Sequence, residues 1–375
     1  MKRLIYADNA ATTKLDREAF EAMVPWMTEQ YGNASQPYSI AREPKKALAE
    51  ARASIAASIN ADPEEIFFTS GGTESDNWAI KGSAFSDPDH HATITSAFEH
   101  HAVLRSCAAI EKLGYPVAYI QPTTDGIITP EALEGCITDN TRLVSIMFAN
   151  NEIGSIQPIK ELCSIAHSHG ALFHTDAVQT VGHIKIDVRD LGIDMLSASA
   201  HKFNGPKGIG FLYIRKGTKI IPYADGGSQE RSLRAGTENI ASIVGMAVAL
   251  KRNCDEIEHN REHIRSLEER LVKKLSSAGI SFVRNGGSST LPGLVSLSFP
   301  GKDGEAILHR LDLKGICVST GAACNSEDTE ISYVLKAIKA GKSVALGTIR
   351  ISLGKWNTEE EVNSIVAELL TILHG

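Results

Sequence analysis

Short, largely apolar runs separated by stretches of helical periodicity restrict this chain more than any other feature of its sequence. Arg142–Ala149 (RLVSIMFA) and Ile193–Ala198 have the length and composition of strands buried on both faces. Further strands are predicted over Glu65–Ser70, Ala92–Ser96, Pro116–Ile120, Leu172–Thr175 and Gly208–Ile214. Helices are predicted between them at Ala102–Leu113, Pro130–Cys136 and Ile159–His169. Strand and helix in alternation predict an α/β fold whose mostly parallel sheet is covered by helices on both faces. In such folds ligands gather at the carboxyl ends of the strands, so the residues just past each strand carry the functional question.

The flanks read differently. Met1–Thr13 reads as an extended arm, and Leu15–Tyr31 and Ala41–Ile59 as helices joined by a loop holding Gly32-Asn33-Ala34-Ser35. Ile240–Leu275 reads as one long helical connection. Beyond it, strand candidates Ile280–Val283 and Leu294–Phe299 and helices at Glu305–Leu313 and Glu359–Leu373 suggest a smaller α+β domain. A chain of 375 residues suits about two domains. We expect a large one over 15–255 and a small one built from 1–14 and 256–375. The net charge of −7 argues against a nucleic-acid or membrane-surface binder. No apolar run approaches the ~18 residues of a membrane span, and MKRLIYADNAATTK is too short and polar for a secretory leader. The expected compartment is the cytoplasm. The six cysteines show no two-residue metal or redox spacing. Cys107, Cys163 and Cys254 lie in helical patterns and Cys317 in an apolar run, so these four are expected in the core.

At the strand ends, Met195–Gly210 (MLSASAHKFNGPKGIG) sets Ser199, His201 and Lys202 just past a buried strand. Desolvation lowers an amine's pKa, and the neutral amine is the form that attacks an aldehyde. The same lysine reads equally as a surface residue of a glycine-rich turn. Thr69–Ser75 is a strand, a glycine turn and a helix start, which either cradles a phosphate or merely caps the helix. His100 follows strand 92–96 and could lie over a flat ring, move a proton, or be structural. Asn150-Asn151-Glu152 brings amide donors to the same rim. Asp176, with Gln179 three residues on, could keep a ring nitrogen protonated or cap a helix. Together, an anion cradle, a ring-stacking imidazole, a carboxylate and an amine match pyridoxal 5′-phosphate better than a nucleotide. Neither G-x-G-x-x-G after the first strand nor a G-x-x-x-x-G-K-[ST] loop is present.

These stretches, with others in fixed order, resemble a known family. YADNAATT, TSGGTESDN, EHHAVL, ANNEIG, HTDAVQ, SASAHKFNGPKGIG, RAGTEN, STGAACNS and IRISLG cover nearly the whole chain. They resemble the cysteine desulfurases, within the class V, fold-type I pyridoxal-phosphate enzymes. The resemblance implies a large domain with a mostly parallel mixed sheet, a smaller α+β domain, and pyridoxal 5′-phosphate as cofactor. It implies Lys202 as the Schiff-base lysine, with Lys207 its one local rival. Gly72, Thr73, Ser199, Ala200 and His201 would hold the phosphate side. Thr237 would reach the phosphate of a partner subunit, making a homodimer with shared sites. His100 would stack on the ring, Asp176 pair with its nitrogen, and Gln179 and Asn151 contact the ring-oxygen side. Arg350 and Asn33 would bind substrate, the guanidinium matching a carboxylate with two parallel hydrogen bonds.

Cys324, among small residues that read as a mobile loop, would take sulfur from L-cysteine as a persulfide and release L-alanine. The acceptors implied are proteins of iron–sulfur cluster or other thio-cofactor assembly. The alternatives are a class V aminotransferase, a selenocysteine lyase, or a non-catalytic sulfur-transfer scaffold. In ADGGSQERSLRAGT the chain lacks the family's frequent histidine ahead of the glycines and has Ala235 where a serine is common. The tail after Leu373 is shorter than in relatives that feed a scaffold, which puts docking to a standard scaffold in question.

Overall fold

The computed structural model describes residues 4–87, 91–320 and 331–374; Cys324 lies outside them. The chain opens with β1 (Ile5–Tyr6). The large sheet contains β2 (Ile66–Thr69), β3 (Ala92–Ser96), β4 (Val117–Ile120), β5 (Thr141–Ser145), β6 (Leu172–Asp176), β7 (Met195–Ser199) and β8 (Gly210–Ile214). The remaining strands are β9 (Val283–Asn285), β10 (Leu294–Ser298), β11 (Ile316–Cys317) and β12 (Thr348–Ser352).

The large sheet has the order β2-β8-β7-β6-β5-β3-β4. Only β8 runs against its neighbours. Adjacent residues on a strand face opposite layers. Phe67, Leu143 and Met195 pack under the helices Gly72–Ala84 and His101–Glu111, through Trp78, Val103 and Ile110. Phe68, Val144 and Leu196 join the other layer, with Ile55 of helix Arg42–Ser58 and Met246 of helix Ile240–Asp255. Burial on both sides explains why these strands read as continuous apolar runs.

The expected mostly parallel mixed sheet between helical layers is present. Because β8 is reversed, Gly210 at its start pairs with both Thr69 and Ser199. The ends of β2, β6 and β7 therefore share one rim. The smaller sheet, β9-β10-β12, packs on helices Ile257–Ser277, Gly304–Asp312 and Glu359–His374 through a second core that includes Leu267, Leu297, Ile351 and Leu369.

Two local expectations are corrected. The connection read over Ile240–Leu275 is two helices that break at Glu256 (φ −106, ψ 8), a shared cap position carrying neither Gly nor Pro. The strand read at Ile280–Val283 begins at Val283, where cross-strand pairing with Ser298 starts. The N-terminal arm is extended at β1, as read, and is docked: β1 pairs in parallel with β11, and Asp8 bridges Ser352 of β12. The outer edge of β2 is covered by charged side chains. Glu230 accepts from Phe68 N–H (2.9 Å), and Arg52 and Arg231 both donate to Ile66 C=O. Holding these groups there takes three consecutive left-handed residues, Glu230, Arg231 and Ser232. Among the described residues no helix is long and apolar enough to cross a membrane.

Candidate active site

The strand ends open into a cavity of about 600 Å³. It collects Gly72 and Thr73 after β2, His100 after β3, Asn151 after β5, Asp176 and Gln179 at the end of β6, and Ser199, His201 and Lys202 at β7, together with Arg350 from β12. Ala200 is fully buried beneath the lysine turn, where its carbonyl accepts from Gly205 N–H (2.8 Å). Thr237 is exposed and Asn33 half-buried, and neither lines this cavity. Asn33 instead accepts from Ser35 N–H within its own loop. Lys207 reaches the cavity wall beside Lys202.

Local chemistry explains how the rim is held. Gly71 has φ +146, a region that favours glycine, and a Cβ on Gly72 would come within 2.5 Å of Val178 Cγ2. The turn is therefore bare where the helix Gly72–Ala84 begins. Its first N–H groups have no partner within the helix, and the helix dipole favours an anion there. His100 Nδ1 accepts from Ala102 N–H (3.1 Å), capping its helix while the residue lines the cavity. Asp176 likewise accepts from Val178 N–H (2.9 Å). His100 thus caps a helix as one reading had it, whereas Asp176 holds a turn and no helix begins there; both line the cavity.

Lys202 Nζ donates to the carbonyls of Ala10 (2.5 Å) and Ala11 (3.0 Å). Burial, helped by the Arg350 charge, pushes its amine down to about 8, although Asp176 and Asp8 pull the other way. Burial raises the Asp176 carboxyl, while His100, the Val178 N–H and Lys202 favour its charged form. Asp76 stands beside it: ligand atoms of Asp76, His100 and Asp176 lie within 4.8 Å of one another. Burial and the neighbouring Asp176 hold Asp76 well above the usual carboxylate range. His174 lies between Ser145 Oγ (2.8 Å) and Ser197 Oγ (2.9 Å), and burial pushes it down to about 3, so it is neutral. His201 is pushed down to about 4 by burial and by Lys202 and Lys207.

Arg350 is only 6% exposed. Its Nη1 donates to Asn151 C=O (2.8 Å) and its Nη2 to Asp8 (2.7 Å), while its Nε has no partner. Of the described cysteines, Cys107 and Cys163 are buried, and burial raises both thiols. Cys254 and Cys317 are half-buried rather than core, and no described cysteine lines the cavity. The sequence reading passed over the arm residues Asp8, Ala10, Ala11 and Thr12, and the buried Asp76. The first four sit in YADNAATT and the last in TSGGTESDN, but no spacing rule places Ala10, Ala11, Thr12 and Asp76 at the cavity or Asp8 behind it, on Arg350.

The donor set fits pyridoxal 5′-phosphate. A bare helix N-terminus with Thr73 and Ser199 hydroxyls suits a phosphate. A buried carboxylate suits a pyridinium, an imidazole suits the ring face, and a depressed amine suits an aldehyde. Comparison with known proteins agrees. The aminotransferase class-V family model matches residues 5–365. The chain belongs to the class-V aminotransferase family, in its cysteine desulfurase branch. It is 49% identical to cysteine desulfurase IscS of Dictyoglomus turgidum, over 97% of this chain and 93% of that protein. Among solved structures, a NifS-like protein superposes with a TM-score of 0.93 at 38% identity, covering 99% of this chain and all of the other. SspA in complex with cysteine superposes with a TM-score of 0.83 at 36% identity, over 96% of this chain and all of the other.

Proposed function

We propose that this protein takes sulfur from L-cysteine and releases L-alanine, with pyridoxal 5′-phosphate as cofactor. The observation that carries the reading is one cavity holding the amine of Lys202, the carboxylate of Asp176 and the guanidinium of Arg350. When bound, the cofactor supplies an electron sink for bonds broken at the substrate α-carbon. Gly72, Thr73, Ser199 and His201 would hold its phosphate, Asp176 would keep the ring nitrogen protonated, His100 would stack on the ring, and Asn151 and Gln179 would contact its oxygen side. Arg350 binds the substrate carboxylate. Lys202 Nζ, substantially neutral near pH 8, moves the proton at the substrate α-carbon.

The sulfur passes to the Cys324 thiolate. The substrate C–S bond breaks, an S–S bond forms, and the alanine carbon takes a proton. The persulfide then serves acceptors of iron–sulfur cluster or other thio-cofactor assembly. The protein acts as a homodimer. In support, Thr237 stands exposed outside its own chain's cavity, where a second copy can use it. We place the large domain at 15–255 and the small domain at 1–14 and 256–375, and the protein in the cytoplasm.

The test is mass spectrometry after addition of L-cysteine. One extra sulfur on the peptide holding Cys324, with alanine released, is the expected result. Unchanged alanine production by Cys324→Ala would overturn the assignment of the thiol. A wild-type protein that makes no alanine would overturn the reading as a whole.

A further inference from the structure

The N-terminal arm crosses the cavity and holds several of its working groups at once. It is stitched to β12: Asn9 N–H donates to Ser352 C=O (3.1 Å), Ala10 N–H to Ser352 Oγ (2.9 Å), and Ser352 N–H to Ala7 C=O (2.7 Å). Alternation along a strand puts Arg350 on the same side of β12 as Ser352, the residue that Asp8 bridges. Asp8 Oδ1 thereby meets Arg350 Nη2 at 2.7 Å, while Asn151 C=O takes Nη1.

Two or three residues on, the carbonyls of Ala10 and Ala11 receive Lys202 Nζ, and Ala10 C=O also accepts from Gln179 Nε2 (3.0 Å). Tyr6 stiffens this stretch by donating from its hydroxyl to the carbonyls of Asp8 and Thr12. The guanidinium has five N–H donors. The two contacts to protein leave Nε–H and one N–H on each terminal nitrogen, enough for two parallel bonds to an incoming carboxylate. The buried Nε has no protein acceptor, and Arg350 lines the cavity.

We propose that Asp8 is a positioning residue for substrate: from the N-terminal arm it fixes the Arg350 guanidinium in register with the Lys202 amine, so that one α-carboxylate is admitted in one orientation. The inference rests on the reading of Arg350 as the clamp for the substrate carboxylate. Asp8 does not line the cavity and acts through Arg350. A fixed clamp matters because a misplacement of about 1 Å at a binding group can cost up to about a hundredfold in rate.

The test uses cofactor-loaded protein, with KM and kcat for L-cysteine, the dissociation constant of L-alanine as a sulfur-free carboxylate, and cofactor affinity. Asp8→Ala is expected to raise KM and the L-alanine dissociation constant together by roughly tenfold, with kcat and cofactor affinity changed by less than about threefold. Asp8→Asn, which keeps an acceptor oxygen without the charge, is expected to fall a few-fold above wild type. If Asp8→Ala is insoluble, Asp8→Asn decides alone. An unchanged KM and L-alanine affinity, or a cofactor affinity that falls in step with KM, would overturn the proposal. Should wild type make no alanine from cysteine, the functional reading falls, and L-alanine binding still decides the role of Asp8.

Discussion

The cavity has two walls of different make. One consists of the ends of β2, β6 and β7, where each side chain is set by its own strand and the turn just after it: Asp176 by Val178 N–H, the Gly71–Thr73 turn by close approach to Val178 and Ser199. The other consists of the N-terminal arm and β12. There Asp8 meets Arg350 across 342 residues, and Lys202 meets Ala10 across 192. Local geometry preforms the first wall, which suits the proposed role of holding a cofactor. The second exists only once distant parts of the chain have docked, which suits the task of orienting a substrate.

The comparison breaks most completely at Lys202, which leaves the end of β7 and donates to two carbonyls of the arm. Lys202→Ala should lower alanine formation by at least about a thousandfold and leave the protein without the yellow colour of bound cofactor. Residual turnover above a few per cent would show that Lys207 can substitute. Within the first wall, Asp176→Asn keeps the size and removes the charge. Its expected cost is about a hundredfold in kcat with little change in KM, since the charge works on the reacting cofactor.

Arg350→Lys tests the second wall and should show the opposite split. KM should rise roughly ten- to a hundredfold while the absorbance of bound cofactor stays as in wild type. A matching loss of cofactor would mean that the walls are not separable.

Acidity gives a smaller, graded effect. Lys202 has its folded pKa depressed to about 8 from 10.5, so between those values the unfolded chain binds more protons than the folded one. The stability penalty is full below about 8 and is relieved as pH climbs toward 10.5. Cofactor uptake by the apo-protein, followed by absorbance, should rise about tenfold per pH unit below 8 and then level off, because only the neutral amine reacts. A flat profile would deny Lys202 that role. The smallest effect belongs to Gly72→Ala. A Cβ 2.5 Å from Val178 Cγ2 forces a shift costing about 1–3 kcal/mol, visible as a lower unfolding midpoint and weaker cofactor affinity.

The two walls also differ in how far they can be read from sequence. The first was legible because strand burial, glycine turns and the polar residue after each strand are all local signals. Phe67 and Phe68 facing opposite layers is the same pattern seen in three dimensions. The second was not, since nothing in YADNAATT says that its carbonyls face a lysine 191 and 192 residues away. Arg350 was reached through family resemblance rather than pattern, and its partner Asp8 was missed. The break at Glu256 was hidden for a related reason: the residue is an ordinary helix former, and neither Gly nor Pro marks the stop. At the end of β5 the difference is one of degree. Residues 146–149 stay beside β6, with Ile146 N–H on His174 C=O and Phe148 N–H on Asp176 C=O, so the apolar run read to Ala149 remains extended past Ser145.

The charged cover on β2 bears on behaviour in crowded solution. Bare backbone at the rim of a sheet is a template on which a foreign strand can add, and addition repeated from molecule to molecule builds filaments. Glu230 and its arginine neighbours occupy those sites, at the conformational cost of three residues in a region that side chains seldom adopt. A single turn thus guards this edge against strand addition, and a chain that lost it would expose a template for self-assembly.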